Sequence, residues 1–280
     1  MRIKIFVLLC LTAIMQFTNV TPLKASHYYY KQLSLKDGVT SAVRCILTDK
    51  QGFVWIGTKA GISRYDGHEL KKYVHSPNNP HSIPNNLIHQ IAEDEMSNIW
   101  ILTDKGIARY QRQSDDFFLP TDEKGNPIIA YSTCLTKDGV LFGSKDKVYF
   151  YSYRDSSLRL LQKLNKGSNF NISLLSLWSE HTVLCCSRWQ GLALLDLKTG
   201  KHRLPPFDCG KEIMNMLIDS QNRIWIAPYN EGIKCFTHNG ELVKAYTTHN
   251  SDLSNNVVLS LAEREGKIWI GTDGGGINIL

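Results

Sequence analysis

A strand-like step of the form Trp-Ile-Gly-Thr recurs along this chain, and its spacing restricts the fold more than any other feature. The clearest copies are Gly52-Phe53-Val54-Trp55-Ile56-Gly57-Thr58, Asn98-Ile99-Trp100-Ile101-Leu102-Thr103, Asn222-Arg223-Ile224-Trp225-Ile226-Ala227 and Lys267-Ile268-Trp269-Ile270-Gly271-Thr272. Two weaker copies, Val140-Leu141-Phe142-Gly143-Ser144 and Val183-Leu184-Cys185-Cys186-Ser187, carry Leu at the Trp position. The anchors Trp55, Trp100, Leu141, Leu184, Trp225 and Trp269 follow one another at intervals of 45, 41, 43, 41 and 44 residues. A period of about 40 to 45 residues made of short strands indicates β-propeller blades.

One repeat shows why each unit should form four antiparallel strands. Val43, Cys45 and Leu47 alternate with Arg44, Ile46 and Thr48, and Asp49-Lys50-Gln51-Gly52 supplies a turn in which Asp bonds its own backbone and Gly accepts positive φ. Phe53 to Thr58 reads as a second strand, Lys59-Ala60-Gly61 as a turn, Ile62 to Tyr65 as a third strand, and Asp66-Gly67 as a hairpin before Glu69 to Val74. Later copies keep this punctuation at Gly106-Ile107-Ala108-Arg109-Tyr110 and Gly232-Ile233-Lys234-Cys235-Phe236. No helical period competes. The expectation is an all-β propeller over residues 26–280, with blades near 39–75, 83–119, 128–163, 170–204, 211–247 and 253–280.

Residues 1–25 read as an export signal. Arg2 and Lys4 precede an apolar run from Ile5 to Met15 that is short for a membrane span, and Leu23-Lys24-Ala25 offers a cleavage site. The rival is an uncleaved anchor; a lipid attachment at Cys10 fits poorly behind the bulky Leu9. The mature chain is therefore expected outside the cytoplasm. Removing Arg2, Lys4 and Lys24 lowers the formal charge from +6 to +3, which argues against nucleic-acid or membrane-surface binding driven by charge.

Catalytic and metal-binding patterns are scarce. The six cysteines beyond the leader include no Cys-x-x-Cys pair and read as buried free thiols, and the nine histidines are scattered. There is no Gly-x-Ser-x-Gly elbow and no phosphate-binding glycine loop. Asp49, Asp94, Asp138 and Asp219 recur before turns, which turn chemistry explains better than Ca²⁺ ligation. No cofactor and no catalytic residue are expected.

The run Asp49-x-x-Gly52-x-x-Trp55-Ile56-Gly57-Thr58-x-x-Gly61-Ile62-x-Arg64-Tyr65-Asp66-Gly67 resembles the regulator-propeller repeat of periplasmic sensor regions in hybrid two-component systems of the glycan-utilisation type. Leu33-Ser34-Leu35-Lys36-Asp37-Gly38-Val39 resembles the opening segment of that family. The resemblance implies a full-length parent with two seven-bladed propellers, a Tyr-rich immunoglobulin-like domain, one transmembrane helix, a histidine kinase, a receiver and often a DNA-binding output. It also implies a homodimeric, inner-membrane-anchored sensor that detects a glycan or oligosaccharide through a region that does not itself bind nucleic acid. On the family count the six visible repeats are the N-terminal part of a seven-bladed ring. The last copy stops at Gly276-Ile277-Asn278-Ile279-Leu280, in its third strand, so the chain is expected to be a truncated product, a gene fragment or an incomplete sequence. The lone strand His27 to Leu33 suits the outer edge of a final blade; the alternative is a six-bladed ring that these residues complete.

The Trp steps read as packing, so function should lie in the loops. The turn between the second and third strands shares a face with the connection to the next blade. Two of these turns depart most from the small Lys-Ala or Asp-Gly forms: Arg188-Trp189-Gln190 and Tyr229-Asn230-Glu231. They join aromatic faces to planar hydrogen-bonding groups, which suits stacking on sugar rings or anchoring a protein partner; the plain alternative is variable exposed loop. The remaining functional alternatives are a secreted propeller lyase or hydrolase and a protein-interaction propeller.

Overall fold

In a computed structural model, residues 42–164, 170–210 and 212–280 are described. The leader and the strand expected at 27–33 lie outside them. The described residues form six antiparallel sheets, five of four strands and a sixth of three, and contain no helix. The first blade runs Val43–Thr48, Val54–Thr58, Gly61–Tyr65 and Leu70–Tyr73. The third and fourth repeats, degraded in sequence, still build full four-stranded blades. The innermost strands are Val43–Thr48, Ile88–Glu93, Ser132–Thr136, Ile172–Ser179, Ile213–Ile218 and Val258–Arg264.

Five hydrophobic cores hold the blades together, one at each junction between consecutive sheets. Each anchor points forward: Trp55 packs with Ile88 and Ile101 of the second blade, Trp100 with Phe142 of the third, and Trp225 with Ile268 and Ile270 of the sixth. Side chains alternate across a strand, so the anchor serves one junction and its neighbours serve the other. Among the described residues no such core joins the sixth blade to the first. Ile46 in the first blade is 64% exposed while its equivalent Ile91 is 7%, and Ile277 in the sixth is 65% exposed while Ile233 is fully covered.

The recurring Asp before each turn has a second task that its position alone did not reveal. Asp49, Asp94 and Asp219 are buried, and each accepts a hydrogen bond from the indole Nε1 of its own blade's Trp, at 2.9, 2.7 and 2.8 Å. The other carboxylate oxygen accepts backbone N–H groups of the turn, as at Gln51 and Phe53 or Gln221 and Arg223. In the third blade, where Leu141 replaces Trp, Asp138 stands three residues before the anchor rather than six and is exposed. The Asp-Trp pair therefore ties the turn to the blade junction, because a buried indole N–H needs an acceptor.

A candidate ligand-binding mouth

The innermost strands start on the same face as the turns between second and third strands, since the start of each pairs with the end of its second strand: Val43 with Thr58, Ile88 with Thr103, Ile172 with Ser187. At that start a β-bulge repeats in five blades. The register slips between Val43 and Cys45, Ile88 and Gln90, Ile172 and Leu174, Ile213 and Asn215, and Val258 and Ser260. A bulge leaves one residue outside the ladder and re-aims its side chain. The residues so released are Arg44, His89, Ser173, Met214 and Leu259. The third blade pairs without a bulge, and Tyr131, whose N–H bonds Gly143 O at 2.9 Å, stands directly before its innermost strand.

Three of the bulged residues meet Tyr131 and the loops in one cavity of about 510 Å³. Its wall comprises Arg44, His89, Tyr131, Lys145, Asn171 to Ser173, and Ser187 to Trp189. The first four blades all contribute, so the cavity opens at the mouth of the ring. The Trp189 ring is 62% exposed and carries the Arg188 guanidinium 5.0 Å from its centroid. His89 Nε2 lies 2.5 Å from Asp104 Oδ1, and the His89 ring meets Tyr131 edge-on at 5.2 Å. Lys145 adopts φ +50°, a left-handed conformation that turns the chain tightly between two strands.

The six residues expected from the sequence separate. Arg188 and Trp189 enter the mouth; Gln190 instead lines a neighbouring cavity of about 630 Å³ bounded by Leu204 to Gly210. Tyr229, Asn230 and Glu231 line neither. They form an exposed turn in the next blade, where Asn230 has φ +57° and Glu231 accepts a hydrogen bond from Lys234 Nζ at 2.7 Å. Arg44, His89, Tyr131, Asn171 and Ser173 were missed. Their signal was a constant offset: Arg44, His89 and Ser173 each stand eleven residues before the anchor of their repeat.

The Arg188 turn closes on Gly191, whose φ is +77° and around which a Cβ would meet nothing nearer than Gly210 O at 3.7 Å. Backbone conformation alone therefore decides the effect of substitution. Gly191→Ala is expected to cost about 1–2 kcal/mol, the left-handed penalty of an L-residue, read from the urea midpoint of unfolding.

Elsewhere the chemistry is quiet. Among the described residues six cysteines are free, five of them buried, and burial pushes Cys45, Cys134 and Cys186 up to about 12. These thiols are protonated and inert at neutral pH. Among the described residues no group of three or more His, Cys, Asp or Glu side chains is arranged to hold a metal ion.

Comparison with known proteins agrees with this architecture. The two-component regulator propeller family matches residues 37–60 and 252–274. Histidine kinase P4 of Formosa agariphila is 37% identical over 59 residues, 21% of this chain and 4% of that protein. The extracellular domain of the putative one component system BT4673 from B. thetaiotaomicron superposes with a TM-score of 0.71 at 18% identity, over 91% of this chain and 38% of that one. That of the putative hybrid two component system BT3049 from the same organism gives 0.58 at 19%, over 89% and 41%. The chain thus spans less than half of either structure, and at these identities the likeness is one of fold. The chain is a β-propeller whose first and last blades match the two-component regulator propeller model over those two short segments.

Proposed function

We propose that this chain is the ligand-sensing propeller of an extracytoplasmic two-component signalling protein, and that it detects a glycan or oligosaccharide. The observation that carries the reading is the mouth cavity, where the exposed rings of Trp189 and Tyr131 stand beside cationic and amide groups at the ends of the innermost strands and in the adjoining turns. Aromatic faces flanked by planar donors suit sugar rings, whose C–H faces stack while their hydroxyls hydrogen-bond. The regulator propeller repeats and the fold shared with extracellular domains of putative signalling systems support the sensing context. In this reading an export signal at residues 1–25 delivers the propeller to the periplasm. A membrane-anchored, dimeric parent supplies a second propeller and a histidine kinase, the kinase drives the transcriptional output, and the propeller itself contacts no nucleic acid and performs no catalysis.

The test is a dose-response in a full-length sensor bearing this propeller. Trp189→Ala is expected to raise the half-maximal ligand concentration about tenfold or more, the loss of a central aromatic anchor. Tyr229→Ala, in the separate loop of the next blade, should have the smaller effect. An unchanged response of the Trp189 variant would remove the mouth from the sensing reading.

A further inference from the structure

The mouth is charged in a way that the propeller scaffold does not require. Arg44, Lys145 and Arg188 line it, and among the described residues no carboxylate does. Several cations elsewhere on the molecule are held by carboxylates. Arg64 and Lys71 pair with Asp115, Arg112 with Asp49 and Glu93, Arg223 with Asp219, and Lys234 with Glu231. None of the three mouth cations takes part in an ion pair among the described residues. Asp104, which reaches the wall residue His89, bonds that ring rather than a cation of the mouth.

Three unrelated backbone devices bring these charges together. Arg44 is released by the bulge of the first blade, Lys145 by a left-handed residue in the third, and Arg188 by the turn after the second strand of the fourth. Gathering like charges in one concave site raises their mutual repulsion and focuses a positive field, and an anionic ligand relieves the first while profiting from the second. A guanidinium and an ammonium also give complementary recognition, the planar fork for a carboxylate or sulfate and the point charge for either. Trp189 lies beneath Arg188 and Tyr131 stands on the same wall, so a ring presented with its acidic substituent meets both an aromatic face and a cation. The cavity volume of about 510 Å³ falls in the range of small-molecule sites.

We infer that the mouth takes an acidic oligosaccharide, with its carboxylate or sulfate groups on Arg44, Lys145 and Arg188 and a sugar ring against Trp189 or Tyr131. This rests on the sensing reading above and narrows its ligand class to anionic sugars.

The experiment is titration calorimetry on the full chain with defined probes: oligogalacturonate, which carries carboxylates alone; a κ-carrageenan tetrasaccharide, which carries sulfates alone; fully methyl-esterified oligogalacturonate, which is neutral; and inorganic sulfate. One or both acidic saccharides should bind at least about tenfold more tightly than the methyl ester, with affinity falling as salt rises. Which of the two binds separates carboxylate from sulfate recognition. Arg188→Gln and Lys145→Gln, both at exposed positions, should each weaken the acidic probe about tenfold, the loss of one charge-assisted contact, without moving the melting temperature.

Equal affinity for the acid and its methyl ester would overturn the anionic assignment while leaving saccharide sensing intact. Inorganic sulfate binding as tightly as the oligosaccharides would reduce the site to a simple anion pocket and also overturn it. If the folded chain bound no saccharide of either kind, the inference would fall, and the Trp189 dose-response in the full-length sensor would judge the sensing reading separately.

Discussion

Trp100→Ala is expected to lower the unfolding free energy by about 3–5 kcal/mol, the range for truncating a large buried aromatic, and to depress the melting temperature by about 10 °C for a domain of this size. Trp100 is fully buried at the junction of the second and third blades. Its ring meets Phe142 edge-on at 5.3 Å and Tyr151 at 4.7 Å, and its Nε1 donates to Asp94 at 2.7 Å. Truncation leaves a cavity between sheets that their strand pairing keeps from collapsing together, and it leaves the buried Asp94 Oδ2 with only the Asn98 amide as donor. Arg109, which lies over the indole at 5.9 Å and bonds the Tyr151 hydroxyl at 2.8 Å, loses part of its seat as well. Trp269→Ala supplies the internal comparison. Trp269 is only half-buried, in a three-stranded blade whose forward face has no core among the described residues, so its truncation should cost clearly less. Equal losses from the two substitutions, measured by urea unfolding, would show that the anchors act within their own blades rather than across junctions.

That comparison also marks how far the sequence could be read. Blade count, strand pattern and the packing role of the anchors were legible because a propeller repeats one solution to one packing problem, and a Trp at a fixed period is an unmistakable spacer. The Leu141 and Leu184 copies were legible only through the interval, since a smaller apolar residue can serve a junction that Val183 and Cys185 fill beside Leu141, and Ile224 and Ile226 beside Leu184. The role of Asp49, Asp94 and Asp219 was half legible: Asp before Gly or Asn signals a turn, but an indole acceptor six residues away depends on how the turn folds over the strand.

The mouth was the least legible part. Arg188 and Trp189 stood out by composition, whereas Arg44 and Ser173 look like ordinary members of an alternating strand. Only the bulge, a feature of the pairing between two strands, takes them out of the alternation and turns them toward the axis. Gln190 and Tyr229 were grouped with Trp189 by their sequence kinship, whereas the lining of the mouth includes Trp189 but neither Gln190 nor Tyr229.

Replacing Asp219 should cost about 2–4 kcal/mol at neutral pH, through donors left without a partner, and should also change how the protein responds to acid. Asp219 Oδ2 receives Trp225 Nε1 at 2.8 Å and Arg223 Nε at 2.7 Å, while Oδ1 receives the backbone N–H groups of Gln221 and Arg223. Asp219→Ala strands all of these in a site closed to water. Asp219→Asn keeps an acceptor for the backbone but sets an amide N–H₂ against the indole N–H, so it should fall between Ala and the native residue. Burial by itself would raise the Asp219 carboxyl, but the hydrogen bonds from Trp225 and Arg223 outweigh it and hold the group below its ordinary value of 3.8; Asp49, with Trp55 and Arg112, behaves alike. Asp115 is held at about 2, because Lys71, Tyr110 and Tyr73 together overcome its burial. A carboxyl lowered on folding contributes stability that is present above its unfolded value and lost as pH falls through its folded one. The native protein should therefore keep these contributions at neutral pH and lose them progressively as the pH drops from about 4 toward 2. In the Asn variant the Asp219 share of that loss is gone, so the stabilities of variant and native protein should converge across this interval. Urea unfolding at pH 7, 4 and 3 reads both effects, and a difference between the two proteins that stayed constant over those three pH values would refute the assignment of Asp219 as an ionised acceptor for Trp225.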